Sequence, residues 1–378
     1  MPEEEQVYRN LQKHLDKQAI GYPATKSGVE LKLLKRMFNP EEARLATHLN
    51  YKPHNVESIY STARETGMSL EDTEKTLDTM MKAGVIGHIE RQGVRYFYNT
   101  PFVVGMYEGQ LNKLTPELLD EVDEYTSTTA FGLEFLGSKL PQMRTIPVSE
   151  SISVEHHVTS YDHITEFIKS TDGPISIMEC ICRQSKGIKG TPCQQTSRLE
   201  TCMGFGDSAK NGIASGIGRE ITKEEALDII RQNESDGLVL QPSNTQKLEF
   251  VCSCCGCCCG ILSIQKMLPK PLDFWATNYF AEVNPEICTA CGTCVDRCQV
   301  DAISIDERLN VSRVNLIRCI GCGNCVTTCP SEAISLIKKD KETVPPKDSE
   351  SLYEIIAANR KGMLGKVMLA MRLIKMKR

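Results

Sequence analysis

Residues 288–300 read CTACGTCVDRCQV and residues 319–330 read CIGCGNCVTTCP. They are two copies of one pattern. In each, four cysteines are spaced x2, x2 and x3, and every cysteine of the first copy lies 31 residues before its counterpart. The match runs on beyond the thiols: Gly292 pairs with Gly323, and Ala302-Ile303-Ser304 with Ala333-Ile334-Ser335. A duplicated segment of roughly 279–338 is therefore expected to fold as one domain of two similar halves. Around it, thiols are dense. The chain of 378 residues has 18 cysteines. Secreted disulfide scaffolds and reduced metal proteins both reach such densities. The opening MPEEEQVYRN has neither a basic nor an apolar signal region, and no stretch approaches a membrane span. A reducing cytoplasm with metal-bound thiolates is the expectation.

The spacing specifies the metal. A cubane offers three iron corners to one tight loop, and C-x2-C-x2-C wraps the chain so that three thiolates reach them. The fourth corner faces away and takes its ligand from elsewhere. In repeats of this type, the last cysteine of each run serves the other cluster. One 4Fe–4S cluster is thus assigned to Cys288, Cys291, Cys294 and Cys329, and a second to Cys319, Cys322, Cys325 and Cys298. Gly292, Gly321 and Gly323 suit a backbone that passes close to sulfide. Zinc sites show paired C-x2-C units with a longer spacer instead. The segment resembles the bacterial two-cluster ferredoxin family. That resemblance implies a pseudo-twofold pair of βαβ-like halves and one-electron transfer. One departure is visible: Pro330 follows the last cysteine of the second run, but Gln299 stands at that place in the first.

Ten further cysteines precede the duplication, namely Cys180, Cys182, Cys193, Cys202 and the run VCSCCGCCCG at 251–260. Unused thiols are oxidation liabilities in a reducing cell. A third metal site is expected here, an iron–sulfur cluster, with zinc and redox-active or merely buried thiols as the alternatives. Its candidate ligands are Cys180, Cys182, Cys193 and Cys202, with Cys254 and Cys255 as substitutes, and Arg183 reads equally as a balance for a negative cluster or as one side of a surface salt bridge. The succession of a helical N-terminal region, CxCR, a cysteine-rich turn and a paired-cluster domain is similar to uncharacterised 4Fe–4S binding proteins of anaerobic bacteria and archaea.

The remaining readings give an α+β, multidomain chain. Residues 1–101 show amphipathic helices at Val29–Phe38, Pro40–Leu49, Val56–Glu65 and Leu70–Ala83, then a hairpin around Arg91-Gln92-Gly93, an order that resembles a winged helix. Residues 102–270 form the central cysteine-rich α/β region, with a buried strand at Ile175–Met178 and a helix capped by Thr222. Residues 279–338 are the ferredoxin-like domain, and 339–378 a linker and a basic amphipathic tail helix from Leu352. The expected recognition helix carries Glu71, Asp72, Glu74 and Asp78 against Lys75 and Lys82, which disfavours nucleic acid. The tail carries Leu364, Val367, Met368, Met371 and Ile374 among Arg360, Lys361, Lys366, Arg372, Lys375, Lys377 and Arg378, a pattern for an anionic membrane surface, an acidic partner or a helix packed on its own domain. His156-His157 reads as an exposed pair. No catalytic residue is assigned. The expected function is electron transfer to a redox partner protein or within an oxidoreductase complex, in the cytoplasm or peripherally at the membrane. The alternatives are a reductase acting at the central cysteines and a redox-responsive winged-helix regulator.

Overall fold

In chain order the secondary structure begins with α1 (Glu3–Leu15), α2 (Val29–Met37), α3 (Pro40–Ala46), β1 (His54–Asn55), α4 (Val56–Thr62), α5 (Leu70–Lys82), β2 (Ile86–Arg91), β3 (Val94–Asn99), α6 (Pro116–Thr126) and α7 (Thr129–Phe135). There follow α8 (Ile164–Ser170), β4 (Ile175–Glu179), α9 (Ile181–Ile188), β5 (Glu200–Phe205), α10 (Asp207–Ala214), β6 (Gly218–Ile221), α11 (Lys223–Ser235), β7 (Val239–Pro242), β8 (Phe250–Cys254) and α12 (Gly260–Met267). The chain closes with β9 (Tyr279–Val283), α13 (Thr293–Arg297), β10 (Ile303–Asp306), β11 (Val311–Val314), β12 (Ile334–Lys338), α14 (Ser349–Ala358) and α15 (Met363–Met376). This computed structural model describes residues 3–138, 140–152 and 160–376, so His156 and His157 lie outside the described residues.

The chain divides into two compact units. One comprises residues 1–139, 207–219 and 350–374, and the other 140–206, 220–349 and 375–378. This division cuts the chain differently from the four segments read in the sequence. The reason lies in residues 102–135. Phe102, Leu118, Val122, Tyr125 and Phe131 share one core with Leu11, Leu33, Leu34, Leu77 and Phe97, so the stretch after Pro101 completes the N-terminal core. Tyr125 stands at its centre, with ring centroids 4.8 Å from Tyr22, 5.2 Å from Phe102 and 5.3 Å from Phe131. The expected helices and hairpin are present, and a short strand joins them, giving an antiparallel sheet of order β1-β3-β2.

The tail differs from the single helix expected after Leu352. It is broken between α14 and α15 at residues 359–362. Gly362 removes a helix former, and the two residues before it are pulled aside. Arg360 pairs with Glu134 at 2.5 Å and with Asp16 at 3.3 Å, while the Lys361 ammonium donates to the Gly137 carbonyl at 2.7 Å. No described helix is long and apolar enough to cross a membrane.

The second unit holds every cysteine. Its larger sheet has the order β6-β4-β5-β8-β7. Alternation on paired strands gives that sheet two different faces. Ile175, Ile177, Met203, Phe205 and Val251 pack into a core with Ile229 and Ile230 of α11. Cys202 of β5 and Cys252 and Cys254 of β8 fall on the opposite face. The register agrees: Met203 lies opposite Val251, and Met178 opposite Cys202. The duplicated segment forms two antiparallel pairs, β9 with β12 and β10 with β11. Each half thus supplies one strand to a pair closed by the other half.

Candidate metal centre

The duplication is repeated in backbone geometry. Ala290 and Gly321 have φ of 53° and 63°, Gly292 and Gly323 82° and 79°, and Asp301 and Glu332 both 53°. These left-handed residues fold each run of cysteines into the same tight loop. At Gly321 a Cβ would lie 2.2 Å from the Tyr279 carbonyl oxygen, so only glycine fits there. Backbone donors reach equivalent sulfurs in both halves. Ser312 N–H donates to Cys288 Sγ and Ala281 N–H to Cys319 Sγ, both at 3.4 Å. Ala302 N–H donates to Cys298 Sγ at 3.1 Å, and Ala333 N–H to Cys329 Sγ at 3.3 Å.

These donors fit a bound iron–sulfur group, since N–H bonds stabilise thiolate and sulfide charge. Cys298, from the first run, acts electrostatically on the thiols of Cys322 and Cys325 of the second, as Cys294 does on Cys325. Cys288 and Cys291 likewise act on Cys294. The electrostatics of the two loops differ. The Ser312 N–H holds the Cys288 thiol below its ordinary range, and the Thr293 hydroxyl does so for the exposed Cys291. Burial pushes Cys322 up to about 12 and Cys325 well above its ordinary value.

The six candidate ligands of the central site do not converge on one point. They divide between two groups of thiols. Cys180, Cys182, Cys202 and Cys254 join Cys252 and Cys259 in a closed ring. In it the titration of each thiol is shifted by its two neighbours, in the order 180, 182, 259, 254, 252, 202 and back to 180. The ring is built where strand ends meet: Cys180 follows β4, Cys182 lies on α9, Cys202 on β5, Cys252 and Cys254 on β8, and Cys259 caps α12. Cys193 and Cys255 instead join Cys257 and Cys258, and the sulfurs of these four lie within 4.8 Å of one another. Sequence reasoning left out Cys252, Cys257, Cys258 and Cys259. The alternation of Cys252 and Cys254 was the one available sign that those two share a face.

Arg183 stands between the groups. It is buried (2% exposed) and donates to the Ser253 carbonyl at 2.6 Å and to the Thr201 hydroxyl at 2.5 Å. Its Nε has no partner. The groups that favour its charge are Cys180, Cys255, Cys202 and Cys193. Burial pushes the Cys255 thiol up to about 12. Cys193 is drawn down to about 7: burial opposes its charge, but the backbone N–H groups of Thr196 and Gln195 outweigh it.

Residue 299 connects the regions. Its side-chain oxygen accepts from Gly256 N–H at 2.8 Å, and its amide donates to Gln195 Oε1 at 3.0 Å. Glutamine thus replaces the expected proline at a point where two cysteine-bearing loops are tied to the duplicated domain. Cys254 and Cys259 also share a core with Cys294, Cys319 and Cys325.

Residues 281–330 match the family model of a 4Fe–4S dicluster domain. The chain is an iron–sulfur protein with an electron-transfer role. No match to it was found among curated proteins or among solved structures.

Proposed function

We propose that this protein passes single electrons between protein partners through two 4Fe–4S clusters. One is held by Cys288, Cys291, Cys294 and Cys329, the other by Cys319, Cys322, Cys325 and Cys298. The observation that carries this reading is the 31-residue repeat of thiols, left-handed residues and N–H donors. The ring of six thiols is a further metal centre on the same path, a third iron–sulfur cluster in this reading. Its Cys254 and Cys259 pack in the core that contains Cys294 and Cys319, which supports a continuous route for electrons.

The helices and hairpin of residues 1–101 follow a winged-helix order, read here as a docking unit for a redox partner. A regulator that binds nucleic acid is the weaker reading, because the hairpin's cations are already engaged. Arg95 bonds Glu74 at 2.6 Å as well as Asp78, and Arg91 bonds Glu350 at 3.0 Å. The exposed Leu364, Val367, Met368, Met371 and Ile374 of α15, with the basic residues beside them, are a second contact surface for a partner or an anionic membrane.

The test is anaerobic purification followed by iron and acid-labile sulfide analysis and EPR during reductive titration. Two cubanes give about 8 iron and 8 sulfide per chain, and a third raises both to about 12. A colourless protein without labile sulfide would end the reading.

A further inference from the structure

We propose that Cys193, Cys255, Cys257 and Cys258 form a separate site for a single tetrahedrally coordinated metal ion, with zinc the expected occupant. The distances are the first argument. Cys193 Sγ lies 3.6 Å from Cys255 Sγ and 3.7 Å from Cys257 Sγ, and Cys257 Sγ lies 3.6 Å from Cys258 Sγ. Four thiolates each about 2.3 Å from one zinc ion stand about 3.8 Å apart by tetrahedral geometry. A cubane binds its four thiolates on four separate irons and needs them spread wider. The duplicated loops supply an internal standard: no three of their eight thiols fall within 4.8 Å of one another, whereas all four of this group do.

Local structure explains how the group is held. Cys259 N–H and Cys258 N–H bond the Cys255 carbonyl oxygen at 3.0 and 3.4 Å, so one turn presents Cys255, Cys257 and Cys258 together. The fourth thiol comes from a loop some sixty residues earlier, where Gln195 N–H donates to Cys193 Sγ at 3.4 Å. The Gln299 side chain holds both pieces at once through Gly256 and Gln195. The donor set is sulfur only, which selects zinc or iron over harder divalent cations.

Charge is the second argument. Burying a guanidinium without an anion is unfavourable, yet no ion pair links Arg183 to a carboxylate among the described residues, and its Nε is unpartnered. Neutral thiols would leave that charge uncompensated. Four thiolates on one divalent ion carry net negative charge and supply the counter-ion.

The test uses the full chain purified anaerobically with its iron–sulfur content intact. The expected result is about one zinc ion per chain, with a zinc-edge absorption spectrum of four sulfur neighbours at about 2.3 Å. The exposed Cys257 is the position to substitute: Cys257→Ser, and Cys257→Ser with Cys258→Ser, should lose that ion and leave iron and labile sulfide unchanged. One sulfide-free iron lost in place of zinc also upholds a single-ion site. Loss of about four iron with their sulfide would overturn it, as would unchanged metal content. The spectrum of the unsubstituted chain decides the matter if a variant fails to fold. Cys288→Ser should retain the zinc, so failure of the electron-transfer reading and failure of this one give different patterns.

Discussion

Cys288, Cys291 and Cys294 occupy the same loop as Cys319, Cys322 and Cys325, yet the surroundings of the two are opposite in character. Around the first loop stand hydroxyls: Thr293 Oγ1 lies 3.4 Å from Cys291 Sγ, and Ser312 Oγ lies 3.2 Å from Cys294 Sγ. Thr289 and Thr293 are exposed, as is Cys291. The equivalent positions around the second loop are Ile320, Asn324 and Ala281, each 1% exposed. Asn324 turns its amide to the Gly237 carbonyl at 2.9 Å. One backbone has therefore been set in a wet, donor-rich site at the surface and in a dry site inside. Duplication supplied the grip, and later divergence at the flanking positions differentiated its chemistry.

The largest test of that contrast is loss of a ligand. Cys319→Ser removes a thiol from the dry core and should cost more than about 4 kcal/mol of stability together with the metal it holds. Cys288→Ser at the surface should cost less than about 2 kcal/mol. Denaturant unfolding of both variants under anaerobic conditions checks this, and equal losses would break the comparison. Next in size is access. A chelator added to reduced protein should remove about half the iron of the duplicated domain at least tenfold faster than the rest, and the EPR signal lost first should be the one lost in Cys288→Ser. A single uniform decay would mean that the two sites are equally shielded.

Potential comes third. Donors and water stabilise the more negative reduced state, so the first site should have the higher potential. Thr293→Val with Ser312→Ala should lower it by tens of millivolts, on a scale where about 59 mV is tenfold for one electron. The second site should shift far less. Reductive titration followed by EPR reads both. The smallest effect is expected at the position where the repeat itself departs. Gln299→Pro restores the symmetry of the two runs but deletes the side-chain hydrogen bonds to Gly256, Gln195 and Arg297, at about 1 kcal/mol each. Thermal unfolding should register that loss, whereas Pro330→Gln should be close to neutral.

The sequence made the duplicated loops legible because their ligands are local and their spacing is periodic. The helices of residues 29–83 were legible for the same reason. The strand β1 was missed because two residues carry no period. The helix α1 was missed although Val7, Tyr8, Leu11 and Leu15 show one. The break in the tail had a sign in Gly362, but the pull of Glu134 on Arg360 is a tertiary fact. The same limit applied to the central thiols. Ten cysteines from two strands, one helix and the loops between them can be grouped in many ways, and only their assembly separates a ring of six from a group of four. Gln299 was visible as an anomaly, while its partners, Gly256 and Gln195, could not be known before folding.

The partition of the chain bears on its history and handling. It passes from one unit to the other between residues 139 and 140, 206 and 207, 219 and 220, 349 and 350, and 374 and 375. A gene made by joining a finished N-terminal module to a finished electron carrier would cross once. Interleaving of this kind means that neither part can be released by a single proteolytic nick or expressed by trimming one end, and that any truncation at residue 139 takes away α10 and α14 from the unit it was meant to isolate.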